Sequence, residues 1–152
     1  MAHLVNLKFT YEKKKDCLPL YTKITISLIR YCDIIRLDKL YYEAGLACKS
    51  ANQLGMASIF LNRYLDLNEI IEDPENGTLP DSNDFDITDI PSPYDVAMPV
   101  NNFITNEEKE KIKNYLLQVT LFLFRLISAR KLMEAYPLEI VINVMLTCLK
   151  DL

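Results

Sequence analysis

The chain is poor in the residues on which most catalytic and phosphate-binding sites depend. His3 is the single histidine, which leaves too little for a histidine-based triad or a zinc site. The three glycines, Gly45, Gly55 and Gly77, are separated by ten or more residues, so there is no glycine-rich phosphate loop. We therefore expect no catalytic residues, no cofactor-binding residues and no metal ligands, and we predict that the chain is not an enzyme.

Positive charge and long apolar runs are also scarce. The net charge of -4 and the pI near 5.0 remove the electrostatic reason to propose a nucleic acid partner. Polar residues break the runs Tyr115 to Leu126 and Ile140 to Leu149, and neither reaches the about 20 residues that span a bilayer. The first 15 residues also lack the basic-then-apolar order of a secretory signal. We expect no transmembrane segment and a cytoplasmic protein.

The four cysteines have no pair with C-x-x-C spacing. Cys17, Cys32, Cys48 and Cys148 each fall on the apolar face of a predicted helix, where a free cysteine behaves as a small hydrophobic residue. We expect reduced cysteines in the core and no metal site.

Apolar spacing predicts three consecutive helices after an uncertain N-terminal segment, 1–16. The first runs from Leu18 to Leu37 with Pro19 in its first turn. Asp38 is placed as the N-cap of the second helix, and Gly55 is placed as the residue that interrupts it. The third helix follows, with its apolar face predicted at Met56, Ile59, Phe60, the stem of Arg63, Leu67 and Ile70.

The second and third helices predict a helical hairpin of the tetratricopeptide type within residues 17–72. Gly45 would be the small residue of the first helix and Ala57, twelve residues later, that of the second. The pattern favours a tetratricopeptide-like repeat over a generic helical bundle and leaves both open. The residues expected to form the packing between the helices are Tyr41, Ala44, Gly45, Ala57, Phe60, Leu61 and Tyr64.

Residues 73–104, here called the acidic segment, have a different composition. No Lys, Arg or His occurs from Tyr64 to Glu108, and prolines 74, 80, 91, 93 and 99 exclude long helices. An EF-hand is a poor match because "DSNDFDITDIPS" has neither the glycine nor the closing glutamate. Two interpretations stay open, an acidic tether between helical blocks and a strip that docks on a partner. The docking strip would consist of Phe85, Ile87, Asp89, Ile90, Pro91, Tyr94, Val96 and Pro99.

A capping box predicts where helical structure resumes. Thr105 would be the N-cap and Glu108 would reach back to it, so a helix should run from Asn106 to about Leu132. Pro137 suits the first turn of a last short helix that ends near Asp151. Residues 105–152 are therefore predicted as C-terminal helices. The overall prediction is an all-α fold of tetratricopeptide-like hairpins, a solenoid fragment, with an irregular acidic segment.

Two stretches carry a family resemblance. "DKLYYEAGLACKSANQLGMASIFLNRYLDLNEIIE" followed by "DFDITDIPSPYDVAMP" resembles the C-terminal region of the intraflagellar transport protein 172 family, from about Leu18 to Thr120. The resemblance implies a scaffold of intraflagellar transport complex B that acts through protein contacts in cilium assembly. It also implies other intraflagellar transport subunits as partners, with protein cargo or motor adaptors as further ones. The implied locations are the cilium or flagellum, the ciliary base and the cytoplasm.

The tail from about residue 121 departs from the family pattern, which leads into a domain resembling a U-box. A lineage difference, a truncation and a misjoined reading frame are the three explanations left open. Two other functions are weighed against the scaffold: a helical-repeat adaptor of vesicle coats and a ubiquitin-pathway protein of the U-box kind. The second would need a compact domain after Thr120 that this sequence does not show.

Overall fold

All the regular structure in the described part of the chain is helical. The computed structural model describes residues 17–75, 101–102 and 104–135, together with His3, Asn6, Phe9, Thr10 and Lys13. The chain divides into two compact units, Met1–Ile112 and Lys113–Leu152. The predicted all-α class is confirmed. The helices are α1 (Leu18–Leu28), a 3-10 helix (Ile29–Tyr31), α2 (Leu37–Ser50), α3 (Leu54–Glu72) and α4 (Asn106–Ala135).

Helix α1 is shorter than the sequence pattern predicted. It begins at Leu18 with Pro19 in its first turn, as expected, but it tightens into the 3-10 helix after Leu28 rather than continuing to Leu37. The hydroxyls of Thr22, Thr25 and Ser27 each donate to the carbonyl four residues earlier. Such back-bonding competes with the regular helical ladder and weakens the α-helix toward its C-terminal end.

The start of α2 also differs from the prediction. Arg36, in an extended conformation, is the N-cap residue, and Asp38 lies within the first turn instead. The Asp38 carboxylate accepts a hydrogen bond of 2.9 Å from the backbone N–H of Lys39 and is also held by Arg36. A carboxylate is favourable here because the helix dipole is positive at this end. The sequence therefore predicted the correct helix end for Asp38, but Asp38 lies two residues after the N-cap.

The turn between α2 and α3 depends on an asparagine rather than on Gly55. Asn52 has a φ of 57°, the left-handed conformation that asparagine tolerates better than most residues. The N–H of Gln53 donates to the carbonyl of Cys48 and that of Asn52 to the carbonyl of Lys49. This pair of bonds is the Schellman motif that ends many helices. Gly55 lies inside the first turn of α3, so its predicted role was wrong.

Helices α2 and α3 form an antiparallel hairpin, and α1 packs against α2. Tyr42 lies beside Tyr64, with ring centroids 5.3 Å apart, and Gly45 farther along α2 lies beside the earlier Leu61 of α3, which is the antiparallel order. The predicted apolar face of α2 is buried as expected. The buried face of α3 is displaced in part from the predicted one: Phe60 and Leu67 are buried as predicted, but Met56 is 41% exposed, whereas Ala57, Leu61 and Tyr64 are buried.

Helix α4 begins at the predicted capping box. The backbone N–H of Glu108 donates to Thr105 Oγ1 at 3.3 Å, and Glu108 Oε2 accepts from the Thr105 N–H at 3.2 Å. The helix from Asn106 is therefore confirmed, and it extends to Ala135. The predicted helix after Pro137 lies outside the described residues.

Candidate functional site: a polar clasp on the helical hairpin

The seven residues predicted for repeat packing all lie between α2 and α3. Gly45 is also buried, and the side chains of the other six are at most 2% exposed. The Tyr41 and Phe60 rings lie 6.2 Å apart, which fits the spacing of a tilted aromatic pair. The structure therefore brings these residues together in one apolar layer, with Tyr41 and Tyr64 among its largest buried side chains.

Gly45 is the point of closest approach between the two helices. A Cβ built on Gly45 would lie 2.5 Å from Leu61 Cγ and 3.3 Å from the Leu61 backbone nitrogen. Real Cβ atoms essentially never come within 3.0 Å of another atom, so a side chain at this position requires Leu61 to shift. A glycine here is required by the contact between the helices and not by backbone conformation.

At the open end of this hairpin, three polar residues converge on Glu72, the last residue of α3. Glu72 Oε2 accepts a hydrogen bond of 2.6 Å from Lys109 Nζ. Its other oxygen accepts from Asn68 Nδ2 at 3.2 Å and from Asn102 Nδ2 at 2.9 Å. We call this group, Asn68, Glu72, Asn102 and Lys109, the clasp.

The clasp stabilises the ionised form of Glu72. Hydrogen bonding from Lys109 lowers the pKa of the Glu72 carboxyl, desolvation opposes this, and the Lys109 charge and the two asparagines lower it further. Because the folded-state pKa of Glu72 is depressed, the stabilisation is present above the ordinary carboxyl pKa and is lost as pH falls through the lowered value.

Deeper in the hairpin, burial raises the pKa of Tyr64, whose hydroxyl donates to Asn68 Oδ1 at 3.4 Å.

A second polar contact lies at the start of α2. The Arg36 guanidinium donates to both carboxylate oxygens of Asp38, at 3.2 and 2.8 Å, and also to the backbone carbonyl of Asn101. The Asp38 side chain is 1% exposed. Hydrogen bonding to Asp38 raises the pKa of Arg36, so the guanidinium stays charged. Two-pronged binding of a carboxylate by arginine fixes both side chains in orientation.

Together these contacts bring the two ends of the acidic segment to one place. The segment begins directly after Glu72, and near its other end Asn101 and Asn102 bond to Arg36 and Glu72. Lys109, in the first turns of α4, is held by the same carboxylate. A tether that spaces two separated helical blocks does not fit this geometry, because the residues on both sides of the segment contact each other.

The eight residues predicted as a docking strip all lie outside the described residues. Nothing in the sequence pattern pointed to the clasp. The one available signal was Asn68, a polar residue in buried helical register that is 2% exposed. Buried polar groups need partners, so such positions indicate a contact with another part of the chain.

The cysteines follow their prediction in part. Cys32 and Cys48 are free and buried, whereas Cys17 is exposed and was wrongly placed in the core. Burial raises the pKa of Cys48 to about 11, so its thiol is unreactive at neutral pH. Cys148 lies outside the described residues. In the described ranges, no three His, Cys, Asp or Glu side chains come together as a metal site would require.

The described residues define an all-α protein built on a helical hairpin with a polar clasp at its open end. None of its described helices could cross a membrane. No family model matches the chain. The chain is 34% identical over 123 residues, 80% of its length, to a human intraflagellar transport protein 172 homolog. It is 44% identical over 101 residues, 65% of its length, to the homolog from Danio rerio.

A nematode relative with a different name is similar to the chain to the same degree as the human one. The chain is 34% identical over 121 residues to intraflagellar transport protein osm-1 of Caenorhabditis elegans. The chain therefore contains an intraflagellar transport protein 172-like region. The alignment with the human relative covers 123 residues, which is more than the stretch from Leu18 to Thr120 on which the resemblance was based. The chain spans only about 7% of the length of the human and nematode relatives.

Proposed function

We propose that the chain provides a non-catalytic scaffold region of intraflagellar transport, acting through protein contacts in the assembly and maintenance of cilia. The relatives with at least 32% identity in vertebrates are intraflagellar transport proteins by name. The clasp is the observation in the structure that carries the proposal. It holds both ends of a long acidic segment at one end of the hairpin, which is an arrangement suited to binding a partner.

The hairpin is proposed as one tetratricopeptide-like unit of a solenoid. Among the described residues of unit Met1–Ile112, five large apolar side chains are more than a third exposed, namely Phe9, Leu18, Leu20, Ile34 and Met56. In a solenoid each hairpin covers such side chains of its neighbours, and an isolated unit leaves them in water. The residues proposed for packing between the helices are the seven that lie between α2 and α3.

The acidic segment is proposed to present the docking strip to a partner. Ile87, Ile90 and Val96 would be the apolar anchors, and the aspartates around them would attract a basic surface and raise the rate of association. Holding both ends of the segment removes part of the conformational entropy that a free chain loses on binding. The partner should therefore offer an apolar groove with a basic rim.

The partners we propose are other subunits of intraflagellar transport complex B, with protein cargo or motor adaptors as further candidates. The proposed location is the cilium or flagellum, with pools at the ciliary base and in the cytoplasm. These assignments rest on the printed names of relatives that are far longer than this chain.

The docking strip is tested by replacing two of its apolar anchors with aspartate and comparing the result with a control variant that gains the same charge. We expect the tagged chain carrying Ile87→Asp and Ile90→Asp to lose at least tenfold of its co-purifying intraflagellar transport subunits from ciliated cells. The matched control carries Ser82→Asp and Ser92→Asp, which add the same two charges to the same segment and leave the anchors intact. Co-purified proteins are identified and quantified by mass spectrometry.

Each result has a separate meaning. Loss of the subunits with the isoleucine variant alone supports docking through apolar anchors. Equal recovery with both variants removes the docking strip and leaves the scaffold proposal. Absence of intraflagellar transport subunits from the unaltered chain contradicts the scaffold proposal itself.

A further inference from the structure

Two turns of α4, in the unit Lys113–Leu152, are exposed on all sides. All eight residues of 120–127, here called the apolar stretch, are exposed, and Phe124 is 68% exposed. Eight residues make more than two helical turns, so the exposure includes every side of the helix. A helix that is apolar all round is normally buried, so this stretch requires a cover. Its large apolar side chains are Leu121, Phe122, Leu123, Phe124, Leu126 and Ile127.

The charge around the apolar stretch differs in sign from that of the whole chain. The chain has a net charge of -4, but residues 113–131 contain four basic residues and no acidic one. Arg125 lies within the stretch, and Arg130 and Lys131 follow it by about one helical turn. Complementary surfaces place opposite charges against each other. The cover of this stretch should therefore be apolar inside and acidic at its rim.

Charge and shape disfavour a second copy of the chain and a lipid surface as the cover. A second copy would place this basic stretch beside an identical one, and like charges across an interface oppose association. An anionic lipid surface takes a helix with one apolar face and one polar face, whereas this stretch is apolar on all sides. Eight residues are also fewer than the about 20 that cross a bilayer. A protein that closes around the helix fits both the exposure and the charge.

We propose that the apolar stretch binds an acidic protein of the calcium-sensor kind, which closes two apolar grooves around the helix. Calcium opens such grooves in sensor proteins, and their targets are helices with apolar anchors and basic residues. Leu121 and Phe124, three residues apart, lie on one side of α4. Phe122 and Leu126, four residues apart, lie on the roughly opposite side. Each pair would fill one groove.

This binding site is separate from the clasp, whose four residues all belong to the unit Met1–Ile112. It also shares no residue with the docking strip. Binding at the apolar stretch would therefore add a contact that depends on calcium to a chain that holds its other proposed partners through the acidic segment. The two interactions can be tested independently.

Calcium-loaded calmodulin is the probe for this site. Fluorescence anisotropy of the labelled probe, titrated with the full chain, should give a Kd of about 1 μM or tighter, and binding should be lost when calcium is chelated. We expect Phe122→Gln with Phe124→Gln to weaken binding by at least about tenfold, because each groove loses an aromatic anchor. The matched control, Phe9→Gln with Met56→Gln, removes two exposed apolar side chains of the other unit and should leave the Kd unchanged.

Charge reversal tests the acidic rim separately. Arg130→Glu with Lys131→Glu should weaken binding by at least about fivefold, because both residues lie next to the apolar stretch. Lys23→Glu with Lys39→Glu changes the net charge of the chain by the same amount at exposed positions of α1 and α2. This control should change the Kd by less than about twofold, since distant exposed charges are screened by salt. Circular dichroism checks that all variants keep their helix content.

Each outcome decides the proposal. Binding that needs calcium and both phenylalanines supports it. No binding of calmodulin, or equal binding by the phenylalanine variant and its control, overturns it. Sedimentation velocity and flotation with phosphatidylserine vesicles are measured on the same proteins. Self-association or vesicle binding that the phenylalanine variant abolishes, without calmodulin binding, overturns the proposal in favour of a second copy or a lipid surface.

Discussion

Replacing Gly45 by alanine will destabilise the hairpin by about 1–2 kcal/mol, although alanine forms helices better than glycine by up to about 1 kcal/mol. The new Cβ would lie 2.5 Å from Leu61 Cγ and 2.6 Å from Leu61 Cδ2. Leu61 Cγ and Cδ2 must move away from the new Cβ, and the Leu61 backbone nitrogen, 3.3 Å away, must give by a few tenths of an ångström. The apolar layer between the helices therefore loses contacts.

Gly55→Ala is the matched control for this prediction. No atom lies within 4 Å of a Cβ built on Gly55, so alanine there should stabilise the chain by up to about 1 kcal/mol. Urea unfolding followed by far-UV circular dichroism gives both free energies. Adding Leu61→Ala should reduce the cost of Gly45→Ala, because it removes the atoms that clash. Similar stabilisation by both alanines would show that the helices are not in close contact at Gly45.

Replacing Arg36 by methionine will lower the free energy of unfolding by about 2 kcal/mol. The Asp38 carboxylate is 1% exposed and would keep one hydrogen bond, from the Lys39 N–H. An unpaired buried charge costs about 3–5 kcal/mol, and we expect less because the Arg36 side chain is 42% exposed, which lets water reach the site.

A double-mutant cycle separates the charge from the shape of the side chain. In a chain that carries Asp38→Asn, Arg36→Met should cost less than about 1 kcal/mol, because no buried charge is left unpaired. Lys111→Met is the control, since the ion pair of Lys111 with Glu107 is exposed and should be worth less than about 0.5 kcal/mol. Equal losses for Arg36→Met and Lys111→Met would contradict the structural role of Asp38.

Features that depend on neighbouring residues could be predicted from the sequence. The apolar face of α2 and the capping box at Thr105 each involve positions three or four residues apart. Gly45 and Leu61 were both placed in the hairpin, because the spacing of small and large residues follows helix geometry. Such local patterns follow from the geometry of the helical backbone, so the same residues share a face in the folded chain.

Features that depend on distant residues could not be predicted. The early end of α1 goes with side-chain hydrogen bonds that compete with the helical ladder, and apolar spacing does not reveal them. The clasp joins Glu72 to Lys109 across 37 positions, and neither residue belongs to a recognisable motif. The Schellman motif at Asn52 was missed because glycine is the more common residue in that conformation.

The central claim is that both ends of the acidic segment are held at Glu72. Zero-length carbodiimide cross-linking of the unaltered chain tests it directly, since it joins only carboxylates and amines already in contact. We predict that Glu72 is the dominant partner of Lys109 outside its own helix, as their 2.6 Å ion pair requires. A free tether of this length would hold its ends on the order of 30 Å apart. Cross-links from Lys109 spread evenly over the aspartates at 81–95, with none favoured at Glu72, would contradict the account.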